Sequence, residues 1–175
     1  LPILLFRGFA KAVKDKDTID GRDLAIALDF GVAAAYKAVM KPAEGTILTV
    51  SRLTAARAAD AARQTPNDPE AVLEAAIAEG QLALEHTTEM NPVLKKAGVV
   101  DAGGKGFLVI LQGMLDSLRG VPMPEGDGEG EAKVESKTDY AAIAAEEITF
   151  TFDTVFIVRK TSPHKGLEAF EEIGR

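Results

Sequence analysis

Apolar residues recur at helical spacing from Leu1 to Leu118. In the first segment, residues 1–13, the apolar residues would lie on one face of a helix and the basic residues Arg7 and Lys11 on the opposite face, as in an amphipathic helix. The same period returns in four later stretches, which predict helices around Leu24–Val39, Ile47–Ala62, Val72–Leu84 and Phe107–Leu118. The pattern is typical of an all-α domain.

Turn residues separate the predicted helices. Pro42 disfavours helical geometry at the residue before it, and Gly45 supplies the conformational freedom for a turn. Thr46 is predicted to cap the third helix, and Asp68, followed by Pro69, is predicted to cap the fourth. Because short connections favour antiparallel neighbours, the sequence predicts an antiparallel up-down helical bundle or barrel.

The stretch Asn91–Phe107 combines a carboxylate with several glycines. Pro92 opens a short helical turn, Gly98 ends it, and Asp101 then precedes Gly103, Gly104 and Gly106. The sequence predicts a loop whose backbone N–H groups lie at the positive end of a helix dipole, where an anion can bind. A tight interhelical connection without a ligand is the open alternative. The glycine spacing fits neither a P-loop nor a dinucleotide fingerprint.

The predicted helix directions bring two turns to one end of the bundle. Lys41–Thr46 and Val100–Lys105 both present helix N-termini there, together with the carboxylates of Glu44 and Asp101. Positive dipole ends beside two carboxylates predict a place for a phosphate with a cation.

The composition changes after Arg119. Residues 120–139 are rich in acidic residues, glycine and proline, which predicts a linker. Residues 147–160 are β-branched and aromatic, the profile of a strand, and residues 166–174 predict a short helix. The predicted organisation is a helical domain at 1–119, an acidic linker at 120–139 and the β-strand start of a second domain at 140–175.

The net charge and the lack of cysteine argue against several kinds of function and binding site. The net charge of -7 argues against non-specific nucleic-acid binding. No cysteine is present, which excludes disulfides and thiolate metal sites and is compatible with a cytoplasmic location. The apolar run Leu1–Phe6 is too brief for a signal core or a membrane span. Because the chain starts inside a helical pattern without Met, we expect a piece of a longer protein.

Two segments, Ala35–Val50 and Pro92–Gly104, together resemble the nucleotide-binding domain of the dihydroxyacetone kinase family, in the branch that includes bacterial fatty acid kinase. The resemblance covers Leu1–Gly120, and Phe6–Ala10 fits the same branch. Phe150–Val158 resembles the opening of that branch's middle domain.

The resemblance implies an all-helical barrel that holds ADP or ATP with Mg²⁺ at one rim. It implies nucleotide-binding roles for these residues: Ala38, Glu44, Gly45, Thr46, Ile47, Asp101, Ala102, Gly103 and Gly104. For Ala38 and Ile47, ordinary core packing is the alternative.

The sequence also departs from the family pattern. Family members hold magnesium with aspartates of an N-terminal motif, and a glycine- and serine-rich loop cradles the phosphates before the helix that starts here at Leu1. This sequence contains neither feature, so no catalytic or metal-binding residue is predicted in it. We expect the chain alone to lack kinase activity.

Two functions follow as hypotheses. In the first, the parent protein is a kinase that transfers phosphate to a fatty acid, or to a dihydroxyacetone-like acceptor, presented by a partner subunit; a homodimer is compatible with it. In the second, the chain is a catalytically inactive helical interaction module.

Overall fold

The computed structural model describes residues 1–122, and this part of the chain is all-helical. The helices are α1 (Pro2–Val13), α2 (Gly21–Lys37), α3 (Ile47–Gln64), α4 (Pro69–Met90), α5 (Pro92–Ala97) and α6 (Ala102–Leu118). The predicted all-α class is confirmed for these residues.

Side-chain caps start most of the helices. The predicted caps Thr46 and Asp68 are confirmed, since each side chain accepts a hydrogen bond from an N–H of the following turn. Asp20, Asn91 and Asp101 cap α2, α5 and α6 in the same way. These caps satisfy N–H groups that a helix leaves without an internal partner.

Contacts at both ends of α2 and α3 show that these helices are antiparallel. At one end the N–H of Arg22 donates to the carbonyl of Pro66 at 3.1 Å. At the other end Arg52 donates to the hydroxyl of Tyr36 at 3.2 Å. The start of α2 therefore lies beside the end of α3, as the up-down prediction requires.

Helix α6 packs against both α3 and α4. A Cβ at Gly104 would lie 2.8 Å from Cγ2 of Val50 on α3 and 3.2 Å from Cδ1 of Leu84 on α4. At its far end, Arg119 pairs with Glu70 in the first turn of α4 at 2.7 Å. Thus α6 runs antiparallel to α4, and its start lies beside the start of α3.

The core is continuous through the described helices other than α5, which has no buried residue. Leu24, Leu48, Leu73, Leu108 and Leu111 are among its fully buried side chains. The rings of Phe6 and Phe107 lie 6.1 Å apart and connect α1 to α6. Apolar burial of this kind is the main stabilising contribution to a helical domain.

The glycine-rich segment differs from the sequence prediction. Gly103, Gly104 and Gly106 do not form a loop but lie in the first turns of α6, which begins at Ala102. The helix reaches this far because Asp101 caps it and because Gly104 has no side chain to collide with Val50. Tertiary packing thus overrides the low helix propensity of glycine.

The predicted strand at 147–160 and helix at 166–174 lie outside the described residues, as does the linker beyond residue 122. Among residues 1–122, none of the helices has the length and apolar character needed to cross a membrane. Closure of the helices into a barrel stays a prediction.

Candidate functional site

The starts of α3 and α6 meet at one end of the bundle. A Cβ built at Gly103 would lie 3.3 Å from the Cβ of Ile47. We call this end the rim and define it by residues 41–47 and 100–104. The structure therefore brings together the two turns that the helix directions predicted at the same end.

Asp101 is held in place from both sides. Its carboxylate accepts a hydrogen bond from the N–H of Gly104 at 2.7 Å, and its own N–H donates to Thr87 Oγ1 at 3.1 Å. Thr87 is fully buried and donates to the carbonyl of Leu84 at 2.6 Å. Asp101 is therefore a helix cap anchored to α4, whatever else it does at the rim.

The helix starts at the rim retain backbone donors. In α6 the cap uses the N–H of Gly104, and Lys105 donates to the carbonyl of Asp101. Among residues 1–122, no hydrogen bond uses the N–H of Gly103 or of Ile47. Both N–H groups belong to the first turns of helices whose starts are in contact, and the positive dipole end of a helix favours an anionic oxygen.

A polar network fixes the turn before α3. The hydroxyl of Thr49 donates to Glu44 Oε2 at 2.6 Å and accepts from the N–H of Gly45 at 2.9 Å. Gly45 has a φ of 74°, and a Cβ there would lie 2.8 Å from that of Met90. Only glycine suits this position, since its backbone is left-handed and packs on the end of α4.

The guanidinium of Arg52 and the phenol of Tyr36 complete this network. Arg52 donates to Glu44 Oε2 at 3.0 Å and to the hydroxyl of Tyr36 at 3.2 Å. The hydrogen bond from Thr49, and then that from Arg52, holds the pKa of the Glu44 carboxyl below its usual value against the opposing effect of partial burial. Glu44 is therefore ionised at neutral pH.

The remaining predicted residues differ in exposure. Ile47 is 4% exposed and its side chain belongs to the core. Ala38 is exposed at the C-cap of α2 and contributes nothing to the core. Ala102 is exposed at the first position of α6. The core-packing alternative thus holds for Ile47 and fails for Ala38.

Lysines surround the rim. Lys41 and Lys105 are exposed on it or next to it, and Lys95 and Lys96 lie on α5, which leads into it. Within residues 1–122, no ion pair involves any of these four side chains. The rim therefore carries local positive charge on a chain whose net charge is -7.

Sequence reasoning missed Tyr36, Arg52 and Thr49 as site residues. Thr49 was detectable, because it stands three residues after the cap Thr46, where a capping box places a side chain that reaches back to the turn. Tyr36 and Arg52 left no local signal, since their contact spans 16 residues and depends on how α2 packs against α3.

A complete metal centre is not formed by the described residues. Among them, no three His, Cys, Asp or Glu side chains come close enough together to hold a metal ion. Glu44 and Asp101 are the carboxylates of the rim. Magnesium is commonly held by one or two carboxylates together with the phosphates of a substrate, so this donor set fits a nucleotide-bound ion only in part.

Two clefts lie away from the rim. One, of about 590 Å³, lies between α2 and α3 and includes Ile26, Phe30 and Ala62 in its lining. The other, of about 800 Å³, lies between the start of α4 and the end of α6 and includes Leu73, Met114 and Leu118. Both are mainly apolar, unlike the rim.

Comparison with known proteins gives a consistent result. The DAK2 domain family matches residues 3–116. Protein YloV of Bacillus subtilis is 42% identical over 161 residues, which are 89% of this chain and 29% of that protein. Uncharacterized proteins of Staphylococcus haemolyticus and Staphylococcus saprophyticus are 40% and 38% identical over 158 and 161 residues, again 89% of this chain and 28% of each relative.

The chain therefore spans less than a third of the length of these relatives. DAK2 domains occur in kinase-associated proteins, among them dihydroxyacetone kinases, and bind ADP or ATP. The match over residues 3–116 and the shared identity with YloV show that this chain belongs to the DAK2 domain family.

Proposed function

We propose that the rim binds the phosphates of ADP or ATP, and that the chain is the nucleotide-binding domain of an ATP-dependent kinase. The proposal rests on one observation: the starts of α3 and α6 are in contact at Ile47 and Gly103. Two helix N-termini side by side provide backbone donors and positive dipole ends for one polyanion.

The side chains around these donors suit a phosphate group. Lys41 and Lys105 attract it electrostatically, and the absence of a side chain at Gly103 lets the starts of α3 and α6 approach each other closely. In this proposal Gly45, Thr46 and Ala102 shape the backbone of the pocket, and Ala38 lies at its edge.

Glu44 and Asp101 are the residues of this chain that would face a bound Mg²⁺. When bound, the ion would neutralise charge on the phosphate oxygens, which is what phosphoryl transfer requires. Asp101 uses one oxygen as a helix cap, and Glu44 uses one oxygen towards Thr49 and Arg52, so each carboxylate keeps one oxygen for an ion. Further ligands are expected from outside the described residues.

The phosphoryl acceptor is proposed from the branch that the sequence resembles. It would be the carboxylate of a fatty acid held by a partner protein, with a dihydroxyacetone-like ketone as the other candidate. The rim would hold the nucleotide so that the acceptor oxygen attacks the terminal phosphorus in line.

Nucleotide titration tests the proposal. A fluorescent ATP analogue is titrated into the protein as expressed from its natural gene, with and without Mg²⁺, and tripolyphosphate is then added as a competitor. We expect saturable binding that Mg²⁺ strengthens and that tripolyphosphate displaces. If no saturable binding occurs, the interaction-module hypothesis is favoured instead.

A matched pair of glycine variants tests whether the nucleotide binds at the starts of α3 and α6. Gly103→Ala puts a methyl group between the two helix starts, whereas Gly106→Ala adds the same group on the same helix where no atom lies within 4 Å. We expect Gly103→Ala to weaken nucleotide binding by about threefold to tenfold, which corresponds to roughly 1 kcal/mol, and Gly106→Ala to leave it unchanged. Equal effects of the two variants would contradict the proposed location.

A further inference from the structure

Arg52 occupies the centre of the polar network before α3. Its guanidinium joins the hydroxyl of Tyr36 on α2 to the carboxylate of Glu44 in the connecting turn. Arg52 is itself on α3, so three consecutive parts of the chain meet at one side chain. A guanidinium suits this role because its planar array of donors binds two acceptors at fixed angles.

The network continues from Glu44 to the backbone of the rim. The same carboxylate oxygen accepts from Arg52 and from the hydroxyl of Thr49. Because the Thr49 hydroxyl donates its proton to Glu44, its lone pair is left to accept from the N–H of Gly45. Arg52 is thus linked through two side chains to the residue that directly precedes the cap of α3.

The network holds a turn that has few other restraints of its own. Residues 41–44 are exposed. The hydroxyl of Thr46 bonds to the carbonyl of Ala43 at 2.8 Å and accepts from the N–H of Leu48 at 3.3 Å. Glu44 and its partners therefore decide how residues 43–46 present the start of α3.

We propose that Arg52 is a positioning residue for the nucleotide: it holds Glu44, and through Thr49 and Gly45 it fixes the turn whose helix start faces the phosphates. This inference rests on the proposed function of the rim. In this role Arg52 acts through its two partners, Glu44 and Tyr36, and needs no contact of its own with the nucleotide.

The positioning role predicts that loss of Arg52 changes nucleotide affinity more than it changes the free energy of unfolding. Arg52 and Glu44 have side chains that are 45% and 55% exposed. A pair with such exposure contributes little to the free energy of unfolding. Ordering a binding turn in advance does contribute to affinity, since the ligand then need not restrain it.

A double-mutant cycle tests the inference on the protein as expressed from its natural gene. Nucleotide dissociation constants and thermal midpoints are measured for the unchanged protein, Arg52→Gln, Glu44→Ala and the double variant. We expect Arg52→Gln to weaken nucleotide binding about fivefold, as for loss of a hydrogen bond to a charged group. In the Glu44→Ala background, where position 44 has no acceptor oxygen, the same change should have no further effect, because both variants break one pathway.

Arg63→Gln is the matched control. Arg63 lies three turns further along α3 and pairs with Asp60 at 2.6 Å, so it is also an arginine in an exposed ion pair on this helix. We expect Arg63→Gln to leave nucleotide affinity unchanged. We expect Arg52→Lys to recover part of the affinity, since an ammonium keeps the charge next to Glu44 but cannot bridge to Tyr36 in the same plane.

Each outcome has a distinct meaning. If the unchanged protein shows no saturable binding, both the proposed function and this inference are wrong. If it binds nucleotide but Arg52→Gln binds equally well, this inference alone is wrong. An equal loss from Arg52→Gln in both backgrounds would show that Arg52 acts independently of Glu44 and would overturn the positioning role.

Discussion

The two ends of the bundle both bring helix starts together, yet only one suits an anion. At the rim the starts of α3 and α6 meet at Ile47 and Gly103. At the opposite end the starts of α2 and α4 are also close, since a Cβ at Gly21 would lie 3.1 Å from the carbonyl oxygen of Asp68. Helix dipoles alone therefore do not distinguish the two ends.

Local charge makes the difference. At the opposite end three carboxylates pair with only two basic residues, Lys16 and Arg119. At the rim the carboxylates of Glu44 and Asp101 are outnumbered by four nearby lysines, none of which forms an ion pair among residues 1–122. First-turn N–H groups without a partner occur at both ends, so a pair of helix starts favours an anion only where its surroundings are basic.

The largest expected effect concerns the packing of α6 at the rim. Gly104→Ala places a methyl carbon 2.8 Å from Val50, whose branched side chain has little freedom to move. We expect it to lower the free energy of unfolding by about 1–3 kcal/mol, as for other overpacked cores. Denaturant unfolding measures this change. The control Gly106→Ala should raise stability slightly, because alanine has the higher helix propensity and no atom lies within 4 Å of the added methyl group. Equal destabilisation by the two variants would show that the contact with Val50 is not the cause.

The next effect compares the caps at the two ends. Asp101→Ala and Asp68→Ala each remove a carboxylate that accepts from a first-turn N–H, at 2.7 and 2.9 Å. We expect each to cost about 1 kcal/mol of unfolding free energy, whereas the Asn variants should cost less. Only Asp101→Ala should also weaken nucleotide binding in the presence of Mg²⁺. Unchanged affinity would show that Asp101 stabilises the turn and nothing more.

A smaller effect is the pH dependence of the rim. The pKa of the Glu44 carboxyl lies below its usual 4.5, chiefly because of the hydrogen bond from Thr49. Its contribution to stability is therefore complete above pH 4.5 and is lost as the pH falls through the lowered folded pKa. The stability difference between the unchanged protein and Glu44→Gln should shrink in this acidic range, as measured by denaturant unfolding at several pH values. A difference that stays constant down to pH 2 would contradict the assignment.

The smallest expected effect is that of removing the Arg119 ion pairs at the end of the bundle opposite the rim. Arg119 pairs with Glu70 at 2.7 Å and with Glu74 at 3.1 Å, and all three side chains are exposed enough for solvent to screen them. We expect Arg119→Gln to leave nucleotide affinity unchanged and to shift the thermal midpoint by less than Asp68→Ala does. Thermal unfolding at low and high salt checks this, and a shift larger at high salt would contradict the ion-pair explanation.

The sequence was sufficient for much of the local structure. Periodicity located the helices, and Thr46 and Asp68 were identified as caps because capping depends on residues within one turn. Short connections also predicted the shared end of the two turns around Glu44 and Asp101, since direction follows from counting antiparallel helices.

The sequence could not specify contacts that depend on packing. It misplaced the start of α6, because the fit of Gly104 between Val50 and Leu84 cannot be inferred from glycine's weak helix propensity. It also missed Arg52 and Tyr36, which lie on different helices and meet only after α2 and α3 have packed.

The sequence by itself therefore determined the helices, two of their five side-chain caps and the family resemblance, all of which rest on short-range patterns and ordered motifs. The tertiary structure decided which backbone donors at the rim have no internal partner, and which side chains hold the turn before α3. The physical reason is that hydrogen-bond geometry between helices is set by the burial of the whole apolar core, and no local stretch of sequence contains that information.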